Sequence, residues 1–179
     1  MNKNRKLIKR YAQALVNSYT SDSDLARLRK EIDYLAALYI KDESFRSLVT
    51  HPKINKQTRV EVIRQALGSK IGDKLLNSLC IITENGRIDE LINLRKMVLQ
   101  LIDKRQNIHT IDLRTAQKAD PKQFESIRQQ LEKKLGGKVK FHFIIDPSII
   151  GGFVLSTDSL LYDNSLRTKY KTLERELKL

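Results

Sequence analysis

Apolar residues recur every three or four positions through most of this chain, and that spacing predicts helices. Leu7, Tyr11, Leu15 and Tyr19 make the first stripe, with Ile8, Ala12 and Ala14 beside them. Ser21, Asp22 and Asp24 supply a cap and first-turn acids for a second helix, striped by Leu25, Leu28, Ile32, Leu35, Leu38 and Tyr39. Asp42 opens a short third helix, ESFRSLV, that stops before His51-Pro52, because proline disfavours helix in the residue preceding it. Lys56 to Leu67 makes a fourth, with Val60, Ile63 and Leu67 inward and Gly68 as its stop. Residues 70–84 make a fifth that is apolar around most of its circumference, through Ile71, Leu75, Leu76, Leu79, Cys80, Ile81 and Ile82. Such a helix lies at the centre of a bundle or offers one face to a partner. Asn85-Gly86 ends it, and Ile88 to Asn107 forms a sixth.

After Asn107 the period shortens. IHTIDLRTA (108–116) alternates, with Ile111 and Leu113 on one side, as a strand does. Asp120-Pro121 caps a helix faced by Phe124, Ile127, Leu131 and Leu135 and ended by Gly136-Gly137. KVKFHFII (138–145) is a second strand, with Val139, Phe141, Phe143 and Ile145 on one face and Lys140 and His142 on the other. Gly152 to Ser156 is a third. Asp158-Ser159 turns the chain into a short strand, Leu160 to Tyr162, and Asn164 or Ser165 caps a last helix. The fold class is therefore mainly α. A six-helix bundle over residues 1–106 precedes a small α+β domain over 107–179, with the boundary near 105–108.

Composition narrows the function. Seven glycines and three prolines in 179 residues leave little room for long loops. The net charge of +13 calls for an acidic partner: nucleic acid, an anionic membrane face or an acidic protein surface. A lone cysteine, Cys80, cannot form an internal disulfide, and its apolar helical setting makes it a buried thiol. No apolar run reaches the roughly 18 residues of a membrane span. The basic start, MNKNRKLIKRYAQALVNSY, reads as a first helix rather than a signal or transit peptide.

Catalytic chemistry finds little foothold. His51, His109 and His142 lie in separate elements without metal-ligand spacing. GSKIGDK (68–74) fails the phosphate loop, because its glycines are misplaced and no Ser or Thr follows Lys74. Asp146, Asp158 and Asp163 sit at strand ends and turns, where aspartate satisfies backbone donors. No enzyme activity and no cofactor is expected. Lys3, Arg5, Lys6, Lys9 and Arg10 precede the first acid and suit phosphate tracking, so a basic nucleic-acid-binding module stands as the alternative. Against it, the chain has no helix-turn-helix signal and no aromatic series for stacking bases.

The tail carries the strongest pattern. Asp146-Pro147 ends a strand, and Gly151-Gly152 removes side chains where backbones approach or φ turns positive. Leu166, Tyr170, Leu173 and Leu177 stripe the last helix among Arg167, Lys169, Lys171, Arg175 and Lys178, which suits docking to an acidic helix. DPSIIGGFVL and YDNSLRTKYKTL, with RYAQAL (Arg10 to Leu15) and ENGRIDEL (Glu84 to Leu91), resemble the delta subunit family of F-type ATP synthase, which includes the mitochondrial oligomycin-sensitivity-conferring protein. The resemblance runs the length of the chain. It departs at STDSL (156–160), where the family often carries a glycine-containing turn with a basic residue, and that leaves the local hairpin turn unassigned.

The resemblance implies a non-catalytic peripheral-stalk protein that resists rotor torque. Its amino-terminal bundle would bind the amino-terminal segments of the alpha subunits of the catalytic head, in grooves beside the first and fifth helices. Tyr11, Ala14, Leu15, Leu75, Leu79 and Ile82 are the candidates for that contact. The carboxy-terminal part would grip the b subunits through Tyr170, Leu173 and Leu177, because the sequence has no later segment to cover them. Asn85, Gly86 and Arg87 would be structural, as would Asp146, Pro147, Gly151, Gly152, Asp163, Ser165 and Arg167. The expected location is peripheral, on the cytoplasmic face of a bacterial inner membrane, with membrane contact only through the complex.

Overall fold

The computed structural model describes residues 3–51, 53–118, 120–157 and 161–177, with the backbone alone at Lys3, Asn4 and Pro121. Pro52, the Asp158-Ser159 turn, Leu160, Lys178 and the Lys3 side chain lie outside the described residues. The chain divides into two compact units, Met1–Ile102 and Asp103–Leu179.

Helices α1 (Lys3–Asn17), α2 (Asp22–Lys41), α3 (Glu43–Thr50), α4 (Lys56–Leu67), α5 (Asp73–Glu84) and α6 (Leu91–Arg105) come first. Side-chain caps open α2, α3 and α4, those at Ser21 and Asp42 as the sequence suggests. Ser21 Oγ accepts from the Asp24 N–H at 3.1 Å, and Asn55 Oδ1 from the Thr58 N–H at 2.7 Å. Asp42 serves two helices: its N–H donates to the Leu38 carbonyl and closes α2, while its carboxylate accepts from the Phe45 N–H and opens α3. One apolar cluster joins all six, with Leu28, Ile32, Leu35, Val49, Ile63, Leu67, Leu91 and Ile102 fully buried.

Two boundaries differ from the pattern. Helix α5 starts at Asp73 rather than at residue 70, because the Lys70 and Ile71 N–H groups both fold back onto the Leu67 carbonyl. The sixth helix opens as a 3₁₀ turn, Ile88–Glu90, and ends at Arg105. Two residues on, Asn107 takes a φ of 53°, which turns the chain into the first strand. Helix α5 ends as the sequence anticipates. Gly86 has φ 66°, its N–H donates to the Thr83 carbonyl, and the Arg87 N–H donates to the Ile82 carbonyl. That pair of bonds satisfies carbonyls the helix end would otherwise strand.

The second unit contains β1 (Ile108–Thr115), α7 (Glu125–Leu135), β2 (Lys138–Ile145), β3 (Gly152–Ser156), β4 (Leu161–Ser165) and α8 (Leu166–Leu177). The sheet order is β2-β1-β3-β4, with β1 and β2 parallel and the other pairs antiparallel. A parallel pair needs a crossover, and α7 provides it. Ile111, Leu113, Val139 and Leu155 meet Phe124 and the α7 residues Ile127, Leu131 and Leu135 in a second core. The Phe124 ring stands edge-on to Phe141, Phe143 and Phe153 at centroid distances of 6.4, 6.2 and 5.7 Å. The fourth strand is longer than its sequence suggests. Pairing with β3 carries it to Ser165, through Asp163 opposite Val154 and Asn164 opposite Phe153.

Candidate functional site

The tail motif residues are a joint, and the structure closes it bond by bond. Asp146 accepts from the Ser148 N–H at 3.0 Å, while its own N–H donates to the Thr115 carbonyl. The Gly151 carbonyl accepts from the Leu166 N–H at 2.9 Å, which ties the glycine pair to the first residue of α8. Gly152 has φ 76°, and a Cβ there would run into the Asn164 carbonyl oxygen. Asp163 Oδ1 accepts from the Ser165 N–H at 2.8 Å and Oδ2 from the Thr168 hydroxyl at 2.8 Å. Ser165 Oγ accepts from the Thr168 N–H at 3.2 Å, so Ser165 rather than Asn164 caps α8. Arg167 Nη1 lies 3.5 Å from Ser148 Oγ. The side chain and backbone of Ser165, then Thr168, hold the Asp163 carboxyl below the usual range. Ser148 does the same for Asp146, with Arg114 and Arg167 adding to it.

This joint fixes where α8 leaves the sheet, and α8 keeps its apolar stripe in the open. Leu166 is 51% exposed, Tyr170 76%, Leu173 55% and Leu177 85%. Four half- to mostly exposed apolar side chains in register on one helix face form a continuous apolar stripe rather than scattered surface residues.

The candidates in the first unit divide. Leu15, Leu75, Leu79 and Ile82 are at most 2% exposed and belong to the core. Of the six residues named for the head contact these four are core, and they do not meet solvent in this conformation. Their periodicity reads the same for a core face and a partner face, and packing chose the core. Tyr11 is half-buried and Ala14 exposed. With Leu7 and Ser18 they follow an i, i+4, i+7, i+11 line along α1, beside its buried stripe.

Residues outside the sequence candidates also stand out on these two helices. On α5, Ile81 is 50% exposed, on the face opposite Leu75, Leu79 and Ile82. Lys74, at the start of α5, reaches the end of α1: its Nζ donates to the Ser18 carbonyl at 2.7 Å and lies 5.0 Å from the Tyr19 ring centre. The all-round apolarity of 70–84 was the available signal for Ile81; nothing local announced Lys74. In the second unit, a groove of about 510 Å³ runs between α7 and the β3–β4 side of the sheet, floored by Ile111, Phe153 and Leu155.

Burial pushes the Cys80 thiol up, as suits an inert core cysteine. Asp112 and His142 pair at 2.9 Å on the sheet face away from α7. Among the described residues no three His, Cys, Asp or Glu side chains converge as metal ligands. Arg5, Lys6, Lys9 and Arg10 are exposed along α1.

Comparison with known proteins places these features in a family. The family described as ATP synthase delta (OSCP) subunit matches residues 7–177. ATP synthase subunit delta of Rickettsia felis is 30% identical over 99% of this chain and 97% of its own length. The Rickettsia africae protein of the same description is 31% identical over the same shares. A chain of the cryo-EM structure of the Toxoplasma gondii mitochondrial ATP synthase hexamer shares the fold at a TM-score of 0.69 and 19% identity, covering 97% of this chain and 98% of that one.

Proposed function

The chain belongs to the ATP synthase delta (OSCP) subunit family, and we propose from that premise that its two units grip opposite ends of a stationary link. It is a non-catalytic peripheral-stalk subunit of F-type ATP synthase. The first unit, a six-helix bundle, binds the amino-terminal segments of the head's alpha subunits. The second binds the b subunits. The link resists rotor torque, so the head stays still while its catalytic sites change shape.

Tyr11 and Ala14 on α1 and Ile81 on α5 make the head contact. Leu15, Leu75, Leu79 and Ile82 lie beneath them and set the spacing of the two helices. The b contact is the α8 stripe of Tyr170, Leu173 and Leu177, aimed by the joint between Gly151 and Leu166. That uncovered stripe is the observation that carries the reading. Apolar helix-in-groove contacts supply affinity at both ends, and the net charge of +13 steers acidic partners into register. Among the described residues no helix is long and apolar enough to cross a membrane. The subunit sits at the cytoplasmic face of a bacterial inner membrane and reaches it only through its partners.

The test is titration of the full chain with an alpha amino-terminal segment and with the soluble part of b from the same complex. Both should bind at once without competing. Binding of neither, together with steeply salt-dependent binding of generic duplex, would return the chain to the nucleic-acid alternative, which the family match does not support.

A further inference from the structure

Ile150 is held in a conformation that costs a β-branched residue free energy. Its φ and ψ are 66° and −43°, and the Gly151 N–H closes a hydrogen bond of 2.7 Å to the Ile149 carbonyl across it. That is a γ-turn of the strained kind, with positive φ at its centre. Glycine would occupy the position at little cost, and asparagine at less cost than isoleucine. The side chain gains nothing visible in return, since it is 70% exposed. Strain retained without burial points to a use outside the chain.

The surroundings say what kind. The residue after Ile150 is Gly151, whose carbonyl accepts from the Leu166 N–H and whose missing Cβ would meet Leu166 Cδ1 at 2.8 Å. Leu166 heads the α8 stripe, so the γ-turn at Ile150 lies one residue from the point where the chain is tied to that stripe. Charge along α8 is also polarised. Arg167, Lys169 and Lys171 all precede the first acid, Glu174, and the last turns mix Glu174, Arg175 and Glu176. Cations in the first turns oppose the helix dipole, which favours anions there. The Asp163 carboxylate already occupies the start of α8 and Asp146 faces Arg167, so Lys169 and Lys171, exposed on the first turns, are the cations open to an acidic partner.

We propose that Ile150 and Leu166 extend the α8 stripe into one docking surface for an amphipathic helix, whose acidic end lies against Lys169 and Lys171. The partner's apolar face covers Ile150, Leu166, Tyr170 and Leu173, and its carboxylates face the first two turns of α8. The inference rests on the reading of α8 as the stalk contact, and it adds a specificity residue and a direction for the bound helix.

The experiment uses the full chain and the soluble part of b, with affinity measured across ionic strength and thermal unfolding measured alongside. Ile150→Gly and Ile150→Asn should each weaken b binding about 10-fold, the size of one lost apolar anchor. The same variants should melt at or above the parent temperature, because they release the strain. Lys169→Glu with Lys171→Glu should weaken binding further and flatten its salt dependence. Ile150 variants that melt lower and bind unchanged would overturn the proposal and make the residue structural. Tyr170→Ala with Leu173→Ala separates the two readings. Loss of binding in that variant with none at Ile150 sinks only this inference, whereas no loss in either sinks the α8 assignment itself.

Discussion

Lys74 Nζ donates to the Ser18 carbonyl across 2.7 Å, bridging the start of α5 to the end of α1. The Ser18 carbonyl lies just past the last turn of α1, where the helix dipole is negative, and the ammonium also faces the Tyr19 ring. One side chain therefore pins together the two helices that carry Tyr11, Ala14 and Ile81. Lys74→Met should remove about 1 kcal/mol of stability, the net value of an exposed charge-assisted bond with a weak cation–π contact. Lys74→Arg should restore part of it. Denaturant titration followed by helical circular dichroism reads the difference, and an unchanged midpoint for Lys74→Met would show the bridge to be idle.

Three glycines at joints should respond to alanine in a fixed order. Gly152 combines φ 76° with a Cβ position that collides with the Asn164 carbonyl, a backbone atom with no way to yield. Gly152→Ala should cost at least about 2 kcal/mol and loosen the β3–β4 pairing. Gly86 has φ 66° but open space around it, so Gly86→Ala should cost about 1 kcal/mol from φ alone. Gly151 has neither a positive φ nor a backbone neighbour; its Cβ would meet the tip of Leu166, which can rotate away. Its replacement should be the mildest of the three by thermal melting.

Much of this architecture is legible from the chain, because stop signals and periods agree. The range Lys56–Leu67 ends at Gly68, and β2 and β3 match KVKFHFII and GFVLS because Gly136-Gly137, Asp146-Pro147 and Gly152 bound them. The strand β4 is less legible. Asp163 and Asn164 carry cap chemistry, and only the ladder with β3 draws them into a strand. The interface is legible least. Leu15 and Ala14 are sequence neighbours, yet one is core and the other surface, a fact set by how α1 rotates against the bundle.

Acid should unlock the tail joint. Asp163 is held below the ordinary carboxyl range by Ser165 and Thr168. A depressed folded-state pKa contributes stability above the unfolded value, near 3.9 for aspartate, and that stability fades as pH falls through the folded value. Asp163→Asn should therefore destabilise the chain at neutral pH, and the gap to the parent should close below about pH 4. Paired melting curves across that window check it. A gap that persists undiminished at low pH would assign the loss to packing rather than to the carboxylate.

The exposed and buried members of the head candidates should separate cleanly under mutation. Ala14 lies on the surface of α1, so Ala14→Glu adds a charge to a solvated face with a good helix former and leaves the fold intact. The same charge faces any apolar helix laid along Tyr11, Ala14 and Ile81, and burying it unpaired is costly. Binding of the alpha segment should fall at least about 10-fold, with helicity and melting unchanged. Leu79 is 1% exposed, and Leu79→Ala opens a core cavity at about 2–5 kcal/mol. It should lower the melting temperature first and weaken binding only as the unit loosens. Isothermal titration beside thermal melts distinguishes the two. If Ala14→Glu binds as the parent does while Leu79→Ala loses binding at temperatures where it remains folded, the contact lies on another face of α5 and α1 is only its support.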